Sequence, residues 1–98
     1  MLELTRKVGE SVRLGPAELG ITVTVGQLKP QQCAVTVERT FANRGSSKYH
    51  FDIKKGESIL VPVGNIQVHI HLLSVIRGEA RLGFEAPRIF PIDRVERT

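Results

Sequence analysis

The sequence predicts an all-β domain with little or no helix, and three observations predict it. Val, Ile and Thr number 25 of the 98 residues, and their branched Cβ restricts χ1 in a way that suits a pleated strand better than a helix. Strict alternation of apolar and polar residues runs through Ile21-Thr22-Val23-Thr24-Val25 and Val68-His69-Ile70-His71-Leu72. Each run sets three apolar side chains on one face, the mark of a half-buried strand. Nowhere do apolar residues recur at helical spacing over ten or more positions.

Shorter runs alternate less cleanly at Leu2 to Arg6, Val12 to Leu14, Ala34 to Glu38, Tyr49 to Ile53, Ile59 to Val61, Ala80 to Phe84 and Ile89 to Ile92. Turn formers separate them at Gly15-Pro16, Lys29-Pro30, Asn43-Arg44-Gly45, Gly64-Asn65, Arg77-Gly78 and Ala86-Pro87, where Gly and Pro supply the dihedrals that strands do not. About nine short strands with tight connections are expected from these signals.

A chain of 98 residues, 41% hydrophobic and 24% charged, is sized for one compact domain over residues 1–98 and not for a multidomain enzyme. Its net charge of +4 favours polyanions without selecting one. The excess is evenly spread, with six bases and four acids in residues 1–47 and eight and six in residues 48–98. Cys33 stands alone and forms no internal disulfide. The opening Met1-Leu2-Glu3-Leu4 lacks the basic and long apolar regions of a secretory leader. The near-apolar run Leu72 to Ile76 is too short for a bilayer. The cytoplasm is the expected compartment, with no membrane partner.

Shifting the chain by 47 residues without a gap lays Lys7-Val8-Gly9-Glu10-Ser11 on Lys54-Lys55-Gly56-Glu57-Ser58 and continues to Glu38 on Glu85. Eleven apolar pairs fall into register: Leu4 with Phe51, Val12 with Ile59, Leu14 with Val61, Leu19 with Ile66, Ile21 with Val68, Val23 with Ile70, Val25 with Leu72, Leu28 with Val75, Cys33 with Ala80, Val35 with Leu82 and Val37 with Phe84. Only five pairs are identical, so the pattern carries the inference. Any two strand-rich halves match at period 2, but that alone does not explain an ungapped offset with a shared Gly-Glu-Ser. Two pseudo-repeats, residues 1–47 and 48–98, are the expected organisation.

Met1-Leu2-Glu3-Leu4-Thr5-Arg6-Lys7-Val8-Gly9-Glu10-Ser11 resembles the opening of the carbon storage regulator (CsrA/RsmA) family of translational regulators. Arg77-Gly78-Glu79-Ala80-Arg81-Leu82-Gly83-Phe84-Glu85-Ala86-Pro87, followed by Ile92-Asp93-Arg94, resembles the rest. Joining residues 1–14 to 66–94 recovers nearly a whole family domain. Members are five-stranded chains that dimerise by strand exchange and bind GGA-containing single-stranded or loop RNA near ribosome-binding sites. The resemblance therefore implies a fused pseudo-dimer, a β-sandwich or barrel of two intertwined repeats. The rival is one family domain with an insertion at residues 15–65, dimerising by strand exchange.

In that family an RNA site pairs the first strand of one subunit with the last strand of the other. Carried onto this chain, Leu2 to Lys7 should lie beside Ile89 to Arg94, with Leu4, Thr5, Arg6, Lys7, Ile92, Asp93 and Arg94 forming the site. Such a site would grip a loop through strand-edge backbone groups, with Arg6, Lys7 and Arg94 supplying charge. Asp93 departs from the His common in the family, and its carboxylate would weaken binding or orient Arg94. A second site is expected where Arg39 to Arg44 meets Lys48 to Ile53 through a turn at Gly45-Ser46. Asp52 there replaces Thr5 and Ile53 replaces Arg6, so it is expected to be dead or altered, with only Lys54 surviving.

The expected partner is an mRNA or small regulatory RNA with GGA motifs, and the expected role is control of translation or message stability. A protein-interaction or antagonist role is the alternative. No cofactor, metal or catalysis is expected: His69 and His71 lack a third ligand and read as a solvated strand face, and Gly-Glu-Ser reads as a turn. Of Phe41, Tyr49, Phe51, Phe84 and Phe90, most are expected in the core.

Overall fold

A computed structural model describes residues 1–42 and 45–95. Nine strands follow one another: β1 (Leu2–Lys7), β2 (Ser11–Leu14), β3 (Ile21–Lys29), β4 (Gln32–Phe41), β5 (Gly45–Lys54), β6 (Ser58–Val63), β7 (Ile66–Ile76), β8 (Glu79–Glu85) and β9 (Ile92–Val95). Among the described residues the helical content is one 3-10 turn at Ala17–Leu19, in the loop foreshadowed by Gly15-Pro16. The all-β class expected from the branched residues is what the chain adopts.

The strands form two antiparallel sheets, one in the order β1-β8-β7-β6 and one in the order β5-β4-β3-β2-β9. Their inner faces pack on each other, β3 meeting β8 and β4 meeting β7. Each sheet takes three consecutive strands from one half of the chain and the first strand of the other half, and the five-stranded sheet adds β9. Residues 15–65 thus supply β3 to β6 and are integral to both layers.

Local chemistry sets the tight connections. Pro30-Gln31 joins β3 to β4, with Gln31 at φ 60, the arrangement of a type II turn whose first corner suits proline. Arg77 and Gly78 both have positive φ, 54 and 76, as a type I′ hairpin requires. Gly64 at φ 61 begins the two-residue Gly64-Asn65 turn. The Gly-Glu-Ser motif is a turn in both halves: Gly9 and Gly56 each sit at φ 86. Glu10 Oε1 accepts the Lys7 N–H at 2.7 Å, and Glu57 Oε1 accepts the Lys54 N–H at 3.1 Å.

The 47-residue offset extends to the ladders. Leu2 opposite Phe84 through Lys7 opposite Glu79 corresponds to Tyr49 opposite Val37 through Lys54 opposite Gln32. Ser11 opposite Thr24 corresponds to Ser58 opposite His71. A bulge interrupts β3 between Val25 and Leu28 and β7 between Leu72 and Ser74. The Gly9 N–H donates to Val25 O at 2.7 Å, and the Gly56 N–H to Leu72 O at 3.0 Å.

All twenty-two residues of the eleven apolar pairs lie in the core or pack against it. The pairs share one burial class except one: Val12 is 1% exposed, whereas Ile59 is only half-buried. The difference has a cause in the topology, since β9 flanks β2 and no described strand flanks the outer edge of β6. Phe84, Phe90 and Phe51 belong to the core or pack on it. Phe41 and Tyr49 are exposed.

Two boundaries differ from expectation. The last strand begins at Ile92 and not at Ile89, because the Phe90 N–H donates to Pro87 O at 2.9 Å and closes a turn. Phe90 is then buried over Gly15, where an added Cβ would stand 2.8 Å from its ring. The β4–β5 hairpin pairs Phe41 with Gly45 and Arg39 with Ser47, so Gly45 and Ser46 are strand residues. The turn expected at Gly45-Ser46 is therefore not there, and Asn43 and Arg44, also expected as turn formers, lie outside the described residues.

Cys33 is fully buried between β3 and β5. Burial, with a smaller contribution from the charge of Asp52, pushes its thiol up from 9.0 to about 11. The folded protein therefore resists alkylation at neutral pH, with rapid labelling expected only after denaturation, as mass spectrometry of iodoacetamide-treated samples would show. Because the folded value lies above the unfolded one, this group's contribution to stability is full below pH 9 and is lost as pH rises toward 11. Cys33→Ala is expected to flatten the fall in melting temperature across that window.

Candidate nucleic-acid interface

β1 is the edge strand of one sheet and β9 the edge strand of the other. They are not ladder partners: β1 pairs only with β8 and β9 only with β2. Leu2 to Lys7 therefore meets the C-terminal segment across the open side of the sandwich, without backbone pairing. Two hollows are shared by these ends. The larger is lined by Met1, Leu2, Arg88, Phe90, Pro91 and Ile92 among others. The smaller, about 290 Å³, is lined by Thr5 and Glu3 of β1, Arg94 of β9, Ser74 and Ile76 of β7, Arg77 of the turn, and Glu79 and Arg81 of β8.

The strand period decides which expected residues face outward. Thr5 and Lys7 are exposed on β1, whereas Leu4 is half-buried against the core and Arg6 is 9% exposed. Arg6 is thus not the free donor expected from the sequence. Its Nε donates to Thr5 O at 2.9 Å, its Nη1 lies 3.5 Å from Ser11 O, and Glu10 stands 3.9 Å away. Its counterpart at the 47-residue offset is Ile53, 1% exposed, so position 6 belongs to the inward face. Guanidinium burial there is tolerated because carbonyls and a carboxylate meet it.

On β9, Ile92 is half-buried against the core, while Asp93 and Arg94 are exposed. Asp93 stands opposite Arg13 across the β2–β9 ladder, with Arg13 Nη2 to Asp93 Oδ2 at 3.5 Å. Its carboxylate is directed to that guanidinium, away from the role of orienting Arg94. Arg94 shares the cleft with Thr5.

Arg77, Arg81 and Ser74 were not among the expected site residues. Arg81 lies opposite Thr5 in the β1–β8 ladder, a cross-half pairing that neither half's own pattern reveals. The outward phase of Arg81 between Ala80 and Leu82 was the available signal. In the cleft three guanidiniums face two carboxylates, and Glu3 Oε1 holds Arg81 Nη2 at 2.9 Å. The net positive field is modest, and exposed pairs of this kind exchange readily with solvent or another anion.

The second expected site is not built. Arg39 belongs to β4 and pairs within the hairpin to β5, leaving the first half without a counterpart of β9. The chain has only residues 42–44 between β4 and β5, too few to reach the outer edge of β6 and return. Asp52 and Lys54 are exposed and Ile53 is buried. What remains is an apolar groove lined by Ile21, Val37, Phe41, Tyr49, Phe51 and Leu60.

His71 Nε2 pairs with Glu85, and its ring stacks with that of His69. Among the described residues no group of three or more His, Cys, Asp or Glu is placed to hold a metal ion. Nor, among the described residues, is any helix long and apolar enough to cross a membrane. Comparison with family models, curated proteins and solved structures finds no match to this chain.

Proposed function

We propose that the chain is an RNA-binding regulator of translation or message stability, acting in the cytoplasm. It would recognise GGA-containing single-stranded or hairpin-loop segments of an mRNA or small regulatory RNA. The observation that carries this reading is the meeting of Thr5 and Arg94, from opposite ends of the chain, in one cleft with Arg77 and Arg81. The β1 edge, paired on one side only, offers main-chain donors and acceptors to base edges. The guanidiniums offer planar, charge-assisted hydrogen bonds to phosphate. The opening eleven residues and the Arg77–Pro87 segment, which resemble the carbon storage regulator family, supply the GGA preference.

The same reading makes the chain two fused protomers. Matched ladders, bulges and Gly-Glu-Ser turns at one fixed offset support it, and so does the exchange of first strands between sheets. A monomer of 10.9 kDa with one RNA site is the expected species.

A gel-shift titration with a GGA hairpin and a GGA-to-CCA control tests the function. Native protein is expected to bind the first and not the second, with a log–log salt slope of about −2 if three phosphates are neutralised. Failure at low salt would move the assignment to the protein-interaction reading, which the exposed apolar groove beside β6 favours.

A further inference from the structure

The outer edge of β6 has an occupied counterpart in the same molecule. At the 47-residue offset, β6 corresponds to β2, whose outer edge is filled by β9. Strand β9 is anchored there by ladder pairs from Leu14 opposite Ile92 to Ser11 opposite Val95, and by a hydrogen bond from the Gly15 N–H to Pro91 O at 2.7 Å. Position 15 plus 47 is Pro62. Proline has no N–H, and its ring Cδ occupies the space through which such a bond would run.

Pro62 faces the open side of β6. Val63 and Ile66 close the two-residue Gly64-Asn65 turn, and the closing pair of such a hairpin exchanges both ladder hydrogen bonds. Bonded and non-bonded pairs alternate in an antiparallel ladder, so the nitrogens of Pro62, Leu60 and Ser58 point away from β7. The edge these positions form is otherwise unprotected. The strand reads Ser-Ile-Leu-Val-Pro-Val, with no charged residue, and its pairing to β7 shows no bulge. Leu60 is 45% and Tyr49 58% exposed beside it. A flat apolar edge of this kind invites another strand, and of the usual deterrents the edge carries proline.

We infer that β6 is a strand-acceptor site held shut by Pro62, and that the strand it excludes is the Arg88–Val95 segment of a second copy. That segment is the one the molecule itself uses on the equivalent edge. The inference concerns strand addition and stands independently of RNA binding.

The test titrates a synthetic Arg88–Val95 peptide into native protein, Pro62→Ala and Pro62→Thr, following the amide resonances of Ser58 and Leu60. Both variants restore the N–H, and threonine also suits a strand, so a folded variant is available if alanine loosens the edge. The expected result is that the folded variants bind at least tenfold more tightly than the native chain and show concentration-dependent association by sedimentation. Equal binding by native and variant proteins, or no binding by a folded variant, overturns the inference.

Discussion

Replacing Arg94 by alanine is expected to weaken binding of a GGA hairpin at least tenfold while leaving the melting temperature unchanged. Arg94 is exposed, its backbone and not its side chain holds β9 to β2, and the cleft it shares with Thr5, Arg77 and Arg81 is the point where the two ends of the chain converge. Loss of a guanidinium from such a contact costs about 1 to 3 kcal/mol, and 1.4 kcal/mol is a factor of ten. The adjacent carboxylate, Asp93, is directed toward Arg13, and of the two carboxylates in the cleft Glu3 is held by Arg81. Filter binding at fixed salt, with circular dichroism as the folding control, decides the matter. A folded Arg94→Ala protein that binds as tightly as the native one removes this residue from the site.

Phe84→Ala is expected to be the most damaging single truncation of the core. Phe84 is 1% exposed and heads the fully buried side chains by size, on a strand flanked on both sides by β1 and β7. Removing a buried phenyl ring costs about 3 to 5 kcal/mol, a large share of the roughly 5 to 15 kcal/mol by which domains are stable. For a chain of this size that is a fall of roughly 15 °C or more in Tm. Val37 holds the same place in the other half and has less volume to lose, so Val37→Ala should cost less. Urea unfolding of both variants measures the ordering. Equal losses at the two positions would show that the layers repack as one fluid core.

Most of the architecture was legible because it rests on period 2 and on one offset. Ile21 to Val25 and Val68 to Leu72 alternate cleanly and turn their apolar residues to the core, and every residue of the eleven apolar pairs lies in the core or packs against it. The misreadings have local causes. Arg6 reads as a surface cation by its charge, although it stands two residues from Leu4 on the same face and aligns with Ile53. Its chemistry outweighed its phase. The last strand begins later than the apolar Ile89 and Phe90 suggest, because Pro91 cannot donate to a ladder and Phe90 is drawn back over Gly15. The contribution of Arg81 was hidden for another reason. It approaches Thr5 only through a pairing between residues 76 apart in sequence, and no local pattern encodes a partner that distant.

The three-residue link between β4 and β5 also bears on how such a regulator would engage its messages. A dimer with two equivalent ledges can clasp two motifs on one transcript, the second capture being helped by the high local concentration that the first creates. With only residues 42–44 at that junction, a chain that bound RNA as proposed would have one ledge, would forgo the gain in avidity, and would discriminate among transcripts by the quality of a single motif and not by the spacing of a pair.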